Sequence, residues 1–137
     1  MGLTFDTGAL IALENGERRM LAVLTAARDG DEPITVPAAV VAEWWRGQRG
    51  PVAHMLDGMD VEPLSAELAR AAGEALARTG SENAIDAIVM ASAASRGDIV
   101  YTSDFDDLSR LRDFFPSVRV LRVSAARRKS RGRARRR

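Results

Sequence analysis

Ala84-Ile-Asp-Ala-Ile-Val-Met-Ala91, with Gly97-Asp-Ile-Val-Tyr-Thr-Ser-Asp104 just after it, decides the fold of this chain. From Ala84 to Ala94 only Asp86 and Ser92 are polar. A helix apolar on all sides is buried. Gly97 stops that helix, and the β-branched and aromatic run Ile99 to Thr102 reads as a strand. The strand leads into Asp104. Buried helix, strand and terminal acid form one unit of an alternating α/β chain.

The same grammar extends outward in both directions. Residues 2–5 read as a short buried strand that leads into Asp6. Thr7 to Glu14 and Glu17 to Arg28 read as helices, the second with Met20, Leu21, Val23 and Leu24 on its apolar side. Gly30-Asp-Glu-Pro33 is a turn, and Ile34-Thr-Val36 a second strand. Pro37 suits the first turn of a helix that carries Glu43 and stops near Gly47. Arg49-Gly-Pro51 breaks the chain ahead of a short helix around Val52 to Leu56, and Val61 to Leu64 is extended. Ser65 caps a helix over Ala66 to Arg78, with Gly80 just past its end. Ser81 opens the helix that runs to Arg96. Asp104 to Asp113 is a helix, and Val118 to Val123 a last strand. Such alternation predicts a parallel sheet with helices on both faces.

Four carboxylates stand where the chain is otherwise apolar: Asp6, Glu43, Asp86 and Asp104. Carboxylates are rarely buried without compensation of their charge. Asp6 and Asp104 end strands, and ligand sites of open parallel sheets form at that edge. Asp86 lies in the first turn of its helix, where the helix dipole favours its ionised form. Glu43 comes late in its helix and needs another partner. Taken singly, Asp6 and Asp104 suit helix caps, and Glu43 suits an exposed position near Arg46 and Arg49. Asp86 has no such reading. Taken together, the four are better explained by a shared hard cation, Mg²⁺ or Mn²⁺. Such a cation acidifies a bound water and neutralises charge on a phosphoryl oxygen. The single histidine, His54, is not needed for that chemistry.

Composition narrows the classes. A chain of 137 residues with 46% hydrophobic content suits one globular domain. Absence of cysteine excludes disulfides, thiolate metal sites and cysteine nucleophiles. No apolar stretch approaches a membrane span, and no signal-peptide core follows Met1, so a cytoplasmic location is expected. The net charge of +1 conceals an asymmetry. Eight of the 20 basic residues lie between Arg127 and Arg137, which leaves 12 against 19 acidic residues in the body. Residues 125–137 therefore read as a basic, solvated, disordered tail.

Four motifs in register carry a resemblance. They are Asp6-Thr-Gly-Ala-Leu, Val-Val-Ala-Glu43-Trp, Asn83-Ala-Ile-Asp86-Ala-Ile-Val-Met-Ala, and Tyr101-Thr-Ser-Asp104-Phe-Asp-Asp-Leu108. Over residues 3–123 the chain resembles a PIN domain, and at this length it is similar to the VapC toxins of prokaryotic toxin–antitoxin pairs. That resemblance implies a three-layer α/β/α sandwich with a central, mostly parallel sheet, and makes residues 1–124 the nuclease domain. It implies an endoribonuclease dependent on Mg²⁺ or Mn²⁺ that cuts structured RNA such as tRNA or rRNA. It also implies a cognate antitoxin, and a homodimer or a toxin–antitoxin hetero-oligomer. By position Asp6, Glu43, Asp86 and Asp104 become the acidic site, with Asp6 and Asp86 in direct contact with the metal. Thr102, Thr7 and Asp107 become supporting residues.

Two features depart from the pattern or extend it. The family's toxins commonly end soon after the last strand, whereas this chain continues. Arg127, Arg128, Lys129 and Arg131 are expected to contact RNA phosphates, which would give salt-dependent affinity without sequence information. Of Trp44 and Trp45, one is expected in the core and the other partly exposed at an interface.

Other classes fit poorly. Receiver-type phosphoacceptors and aspartyl-phosphate hydrolases use a lysine after a later strand, and the only lysine here is Lys129. No glycine-rich phosphate loop with lysine is present. The remaining alternative is a catalytically silent PIN-like protein-interaction module, and retention of all four acids argues against it.

Overall fold

The computed structural model describes residues 2–124. Arg127, Arg128, Lys129 and Arg131, assigned to RNA contact from sequence, lie outside the described residues. Five strands are present among the described residues: β1 (Leu3–Phe5), β2 (Ile34–Pro37), β3 (Asp60–Glu62), β4 (Ile99–Thr102) and β5 (Arg119–Arg122). They form one sheet in the order β3-β2-β1-β4-β5. All four pairings are parallel, so the sheet expected to be mostly parallel is wholly so over these residues.

Six α-helices connect the strands: α1 (Thr7–Glu14), α2 (Arg18–Asp29), α3 (Ala38–Trp44), α4 (Ala66–Thr79), α5 (Ala84–Arg96) and α6 (Phe105–Leu111). Right-handed crossovers place α1 to α3 on one face and α4 to α6 on the other. Contacts agree, since α4, α5 and α6 pack on one another while α1 packs on α2 and α3. Every residue of α5 from Asp86 to Ala93 is buried, which makes it the central helix of its layer. The core runs along both faces, with Phe5, Leu10, Met20, Val36, Val40, Met90, Val100 and Leu108 fully enclosed.

Local chemistry sets most boundaries. The Ser65 hydroxyl accepts the Leu68 N–H at 3.0 Å and starts α4. Gly80 and Gly97 end α4 and α5 in the left-handed region, at φ of 74° and 73°. Four expectations need correction. Helix α5 begins at Ala84 and not at Ser81, because the Asn83 side chain takes the cap by accepting the Asp86 N–H at 3.0 Å. Helix α3 ends at Trp44, before Gly47. There Gln48 folds back, donating to the Trp44 carbonyl at 3.1 Å and accepting the Arg46 N–H at 2.7 Å. The segment expected as a helix over Val52 to Leu56 is a 3₁₀ turn at Gly50–His54, with Pro51 in its first turn. Helix α6 is shorter than Asp104 to Asp113, spanning Phe105–Leu111.

A polar lock ties the N-terminal approaches of β1 and β4 to the last residue of β3. Asp98 is buried and accepts three hydrogen bonds at 2.9 Å, from the Gly2 N–H, the Thr4 hydroxyl and Arg96 Nε. Arg96 also bonds Glu62 at 3.0 Å and Thr4 and Ser92 at 2.9 Å. This joins β1, β3, α5 and the approach to β4 through one guanidinium, whose fork geometry suits several acceptors at once.

Candidate active site

The sheet order places the switch point between β1 and β4. Strands on either side of it send their helices to opposite faces, so their C-terminal ends border an open crevice. Asp6 follows β1 and Asp104 follows β4 by two residues. Phe5 pairs with Tyr101, and the Asp6 N–H donates to the Tyr101 carbonyl at 3.3 Å. The two strand-end acids are therefore neighbours by register.

Gly8 permits this approach. A Cβ on Gly8 would lie 1.9 Å from Ser103 Oγ and 2.5 Å from Ser103 Cβ. Any side chain there pushes the start of α1 off the β4–α6 loop. Asp6 itself is buried and caps α1, accepting the Ala9 N–H at 2.9 Å. The capping reading thus holds for Asp6, and it leaves the carboxylate at the crevice. Asp104 stands at the N-cap of α6 but makes no side-chain capping bond. Its N–H donates instead to Thr102 Oγ1 at 2.7 Å, which uses the buried Thr102 as a support for the turn. Glu43 is exposed at the end of α3 and accepts a hydrogen bond from the Thr7 hydroxyl, so Thr7 fixes the acid on α3 from α1.

Asp86 is the centre of the arrangement. It is only 5% exposed, and its Oδ2 is buried without a hydrogen-bond partner. An orphaned carboxylate oxygen in that setting is costly. Asp86, Asp104 and Asp107 each offer an oxygen, and the three atoms lie within 4.8 Å of one another. Asp107 was read from sequence as a support. The structure instead brings it into this trio, because α6 packs on α5 and Asp107 lies one turn along from Asp104. Its only partner among the described side chains is the exposed Arg110, at 2.8 Å. Asp6 and Glu43 lie outside the trio but within its field.

The electrostatics show one coupled site. Burial pushes the Asp86 carboxyl up to about 7, and repulsion from Asp104, Asp6, Asp107 and Glu43 adds to it. Burial pushes Asp6 up to about 6, with Asp104 adding to the rise while Thr102 and the Ala9 and Gly8 amides oppose it. Asp104 is raised by burial, then by Asp107 and Glu43. Asp6, Glu43, Asp104 and Asp107 all act on Asp86, and each shift opposes ionisation. A divalent cation would reverse that sign, because it favours the carboxylate form and offers Oδ2 of Asp86 a partner. Hard oxygen donors of this kind suit Mg²⁺ or Mn²⁺.

A parallel α/β domain with a carboxylate-lined crevice at its switch point is thus defined, with donors suited to a hard cation. The PIN domain model matches residues 3–113, and the chain belongs to that family. No curated protein matches the sequence. Among solved structures, the fold is similar to a chain of DNA-bound VapBC from Salmonella typhimurium, at 17% identity and a TM-score of 0.70. That likeness covers 90% of this chain and 99% of the other. A chain of VapBC2 from Rickettsia felis, bound to a promoter DNA fragment, is similar at 15% identity and a TM-score of 0.69, covering 89% and 98%. A chain of FitAcB from Neisseria gonorrhoeae is similar at 19% identity and a TM-score of 0.62, covering 88% and 97%.

Trp44 is buried, and its Nε1 donates to Glu14 at 3.0 Å, whereas Trp45 is exposed beside it. That matches the expected division between the two rings.

Proposed function

We propose that this chain is a divalent-metal-dependent endoribonuclease of the VapC toxin type, restrained by a cognate antitoxin in the cytoplasm. The orphaned Oδ2 of Asp86 at the centre of five mutually repelling acids carries the reading. A bound Mg²⁺ or Mn²⁺ would supply positive charge for a phosphodiester oxygen and a water of lowered pKa. Asp86 and Asp6 are the proposed direct ligands, with Asp104 and Asp107 completing the set. Glu43, held by Thr7 and open to solvent, would accept a proton from the attacking water. Thr102 keeps the β4 turn in shape so that Asp104 faces Asp86. None of these steps needs a histidine.

Structured RNA is the proposed substrate, tRNA or rRNA by class. The tail residues Arg127, Arg128, Lys129 and Arg131 are proposed to add phosphate contacts, which predicts a shallower salt dependence for a chain ending at Ala126. The neighbours named VapBC and FitAcB support an antitoxin partner, and exposed Ile11, Leu21 and Trp45 on the α1–α3 side supply apolar surface for it or for a second copy of the chain.

The test is Asp6→Asn combined with Asp86→Asn. Mn²⁺-dependent RNA cleavage and growth inhibition should both disappear while the protein stays folded. Full toxicity from a soluble double variant would show the nuclease reading to be wrong. A short adjacent gene for a DNA-binding protein that neutralises toxicity on co-expression would establish the antitoxin.

A further inference from the structure

The far side of the crevice carries a cationic feature that the acids do not explain. Arg122 ends β5 and pairs in register with Thr102 on β4, two residues before Asp104. Its guanidinium carbon lies 4.0 Å from the centroid of the Phe105 ring. Among the described residues no carboxylate pairs with it. Thr102, Ser103, Arg122, Val123 and Ser124 line a small cavity of about 60 Å³ at this strand end. That is room for several water-sized atoms, on the scale of the phosphorus and free oxygens of one phosphodiester. Arg19 adds a second guanidinium nearby, its Nε donating to the Arg122 carbonyl at 3.0 Å.

We infer that this cavity seats an RNA backbone phosphate adjoining the one in the acidic crevice. The inference rests on the nuclease reading, and adds to it a place for the substrate strand. Five clustered acids repel a polyanion, so an RNA strand entering the crevice needs a cation beside it. Stacking on Phe105 holds the Arg122 fork in one plane and limits its rotamers, which suits a bidentate contact with phosphate oxygens. Ser103 and Ser124 add hydroxyl-bearing residues to the lining. Ser103 also borders Gly8, so the seat and the acidic crevice share one wall.

Binding should be measured on the full chain carrying Asp86→Asn, which halts cleavage, with a labelled oligouridylate as probe over a salt series. Adding Arg122→Gln should lower affinity about fivefold to tenfold and reduce the slope of log affinity against log salt by about 0.7, the amount for one single-strand phosphate. Arg122→Lys should keep most of the slope and lose part of the affinity. In the chain with Asp86 intact, Arg122→Gln should leave Mn²⁺ binding unchanged, which separates the seat from the metal site. Unaltered affinity and slope in Arg122→Gln would overturn the seat and leave the nuclease reading standing. Failure of the parent chain to bind or cleave RNA would remove both.

Discussion

Gly8 and Ser103 touch so closely that no β-carbon fits between them: a Cβ on Gly8 would stand 1.9 Å from the Ser103 hydroxyl oxygen. The contact joins the start of α1 to the β4–α6 loop, and so joins the segments that carry Asp6 and Asp104. Gly8→Ala is expected to cost about 1–3 kcal/mol, the usual range for overpacking. It should also weaken Mn²⁺ binding, because the two acids separate. Ser103→Gly in the same chain should restore both. Melting curves and calorimetric Mn²⁺ titration read the two effects. A Gly8→Ala protein that melts and titrates like the parent would refute the contact's role.

Asp86→Asn should stabilise the protein in EDTA while abolishing cleavage. The buried carboxylate has an oxygen without a partner and four acids raising its pKa. An amide of the same shape removes the charge, with a gain on the order of 1–3 kcal/mol at neutral pH. Equilibrium urea unfolding measures it. A loss of stability in EDTA would show that the Asp86 charge is already compensated without metal.

Stability in EDTA should fall as pH rises from about 5.5 to 8. Asp6 and Asp86 keep their protons in the folded chain up to about 6 and about 7, against 3.8 for the ordinary group. Between those values the folded state binds more protons than the unfolded state. The contribution is fully present below the unfolded value and is lost as pH passes the folded values. The loss is on the order of 2 kcal/mol. Saturating Mn²⁺ should flatten or invert the trend, because the cation favours the ionised forms. Thermal melts across pH with and without Mn²⁺ decide it, and a rise in EDTA would contradict the assignment.

Arg96→Met should destabilise the fold by about 2–4 kcal/mol without changing Mn²⁺ affinity under conditions where the protein is folded. Arg96 is partly exposed, but Asp98 is buried and loses its charged partner. The lock lies at the N-terminal ends of β1 and β4, and the acids lie at the C-terminal ends. Urea unfolding and Mn²⁺ titration of the same sample separate the two ends. A large drop in Mn²⁺ affinity would mean that they are coupled.

Much of this architecture is legible in local patterns. Strand, acid and helix follow one another at Phe5-Asp6-Thr7 and again at Thr102 to Phe105, and both units form in that order, the second with a helix shorter than read. Ser65, Gly80 and Gly97 mark helix ends because capping depends on the nearest few residues. Ser81 and Asn83 are both competent caps, and the choice of Asn83 was beyond local reading. The end of α3 depended on Gln48 reaching back across an exposed turn.

Sequence alone established an alternating α/β chain with four acids at strand ends and on apolar helices, because periodicity and capping are short-range properties. Convergence is not short-range. Strand order 3-2-1-4-5 made Asp6 and Asp104 neighbours, and packing of α6 on α5 turned Asp107 from a support into a member of the trio. The same packing over the β4–β5 edge set Arg122 on Phe105 beside the crevice. Strand period alone sets Arg119 and Arg122 on opposite faces and at opposite ends of β5, but only the packing of α6 gave Arg122 the Phe105 ring as a partner.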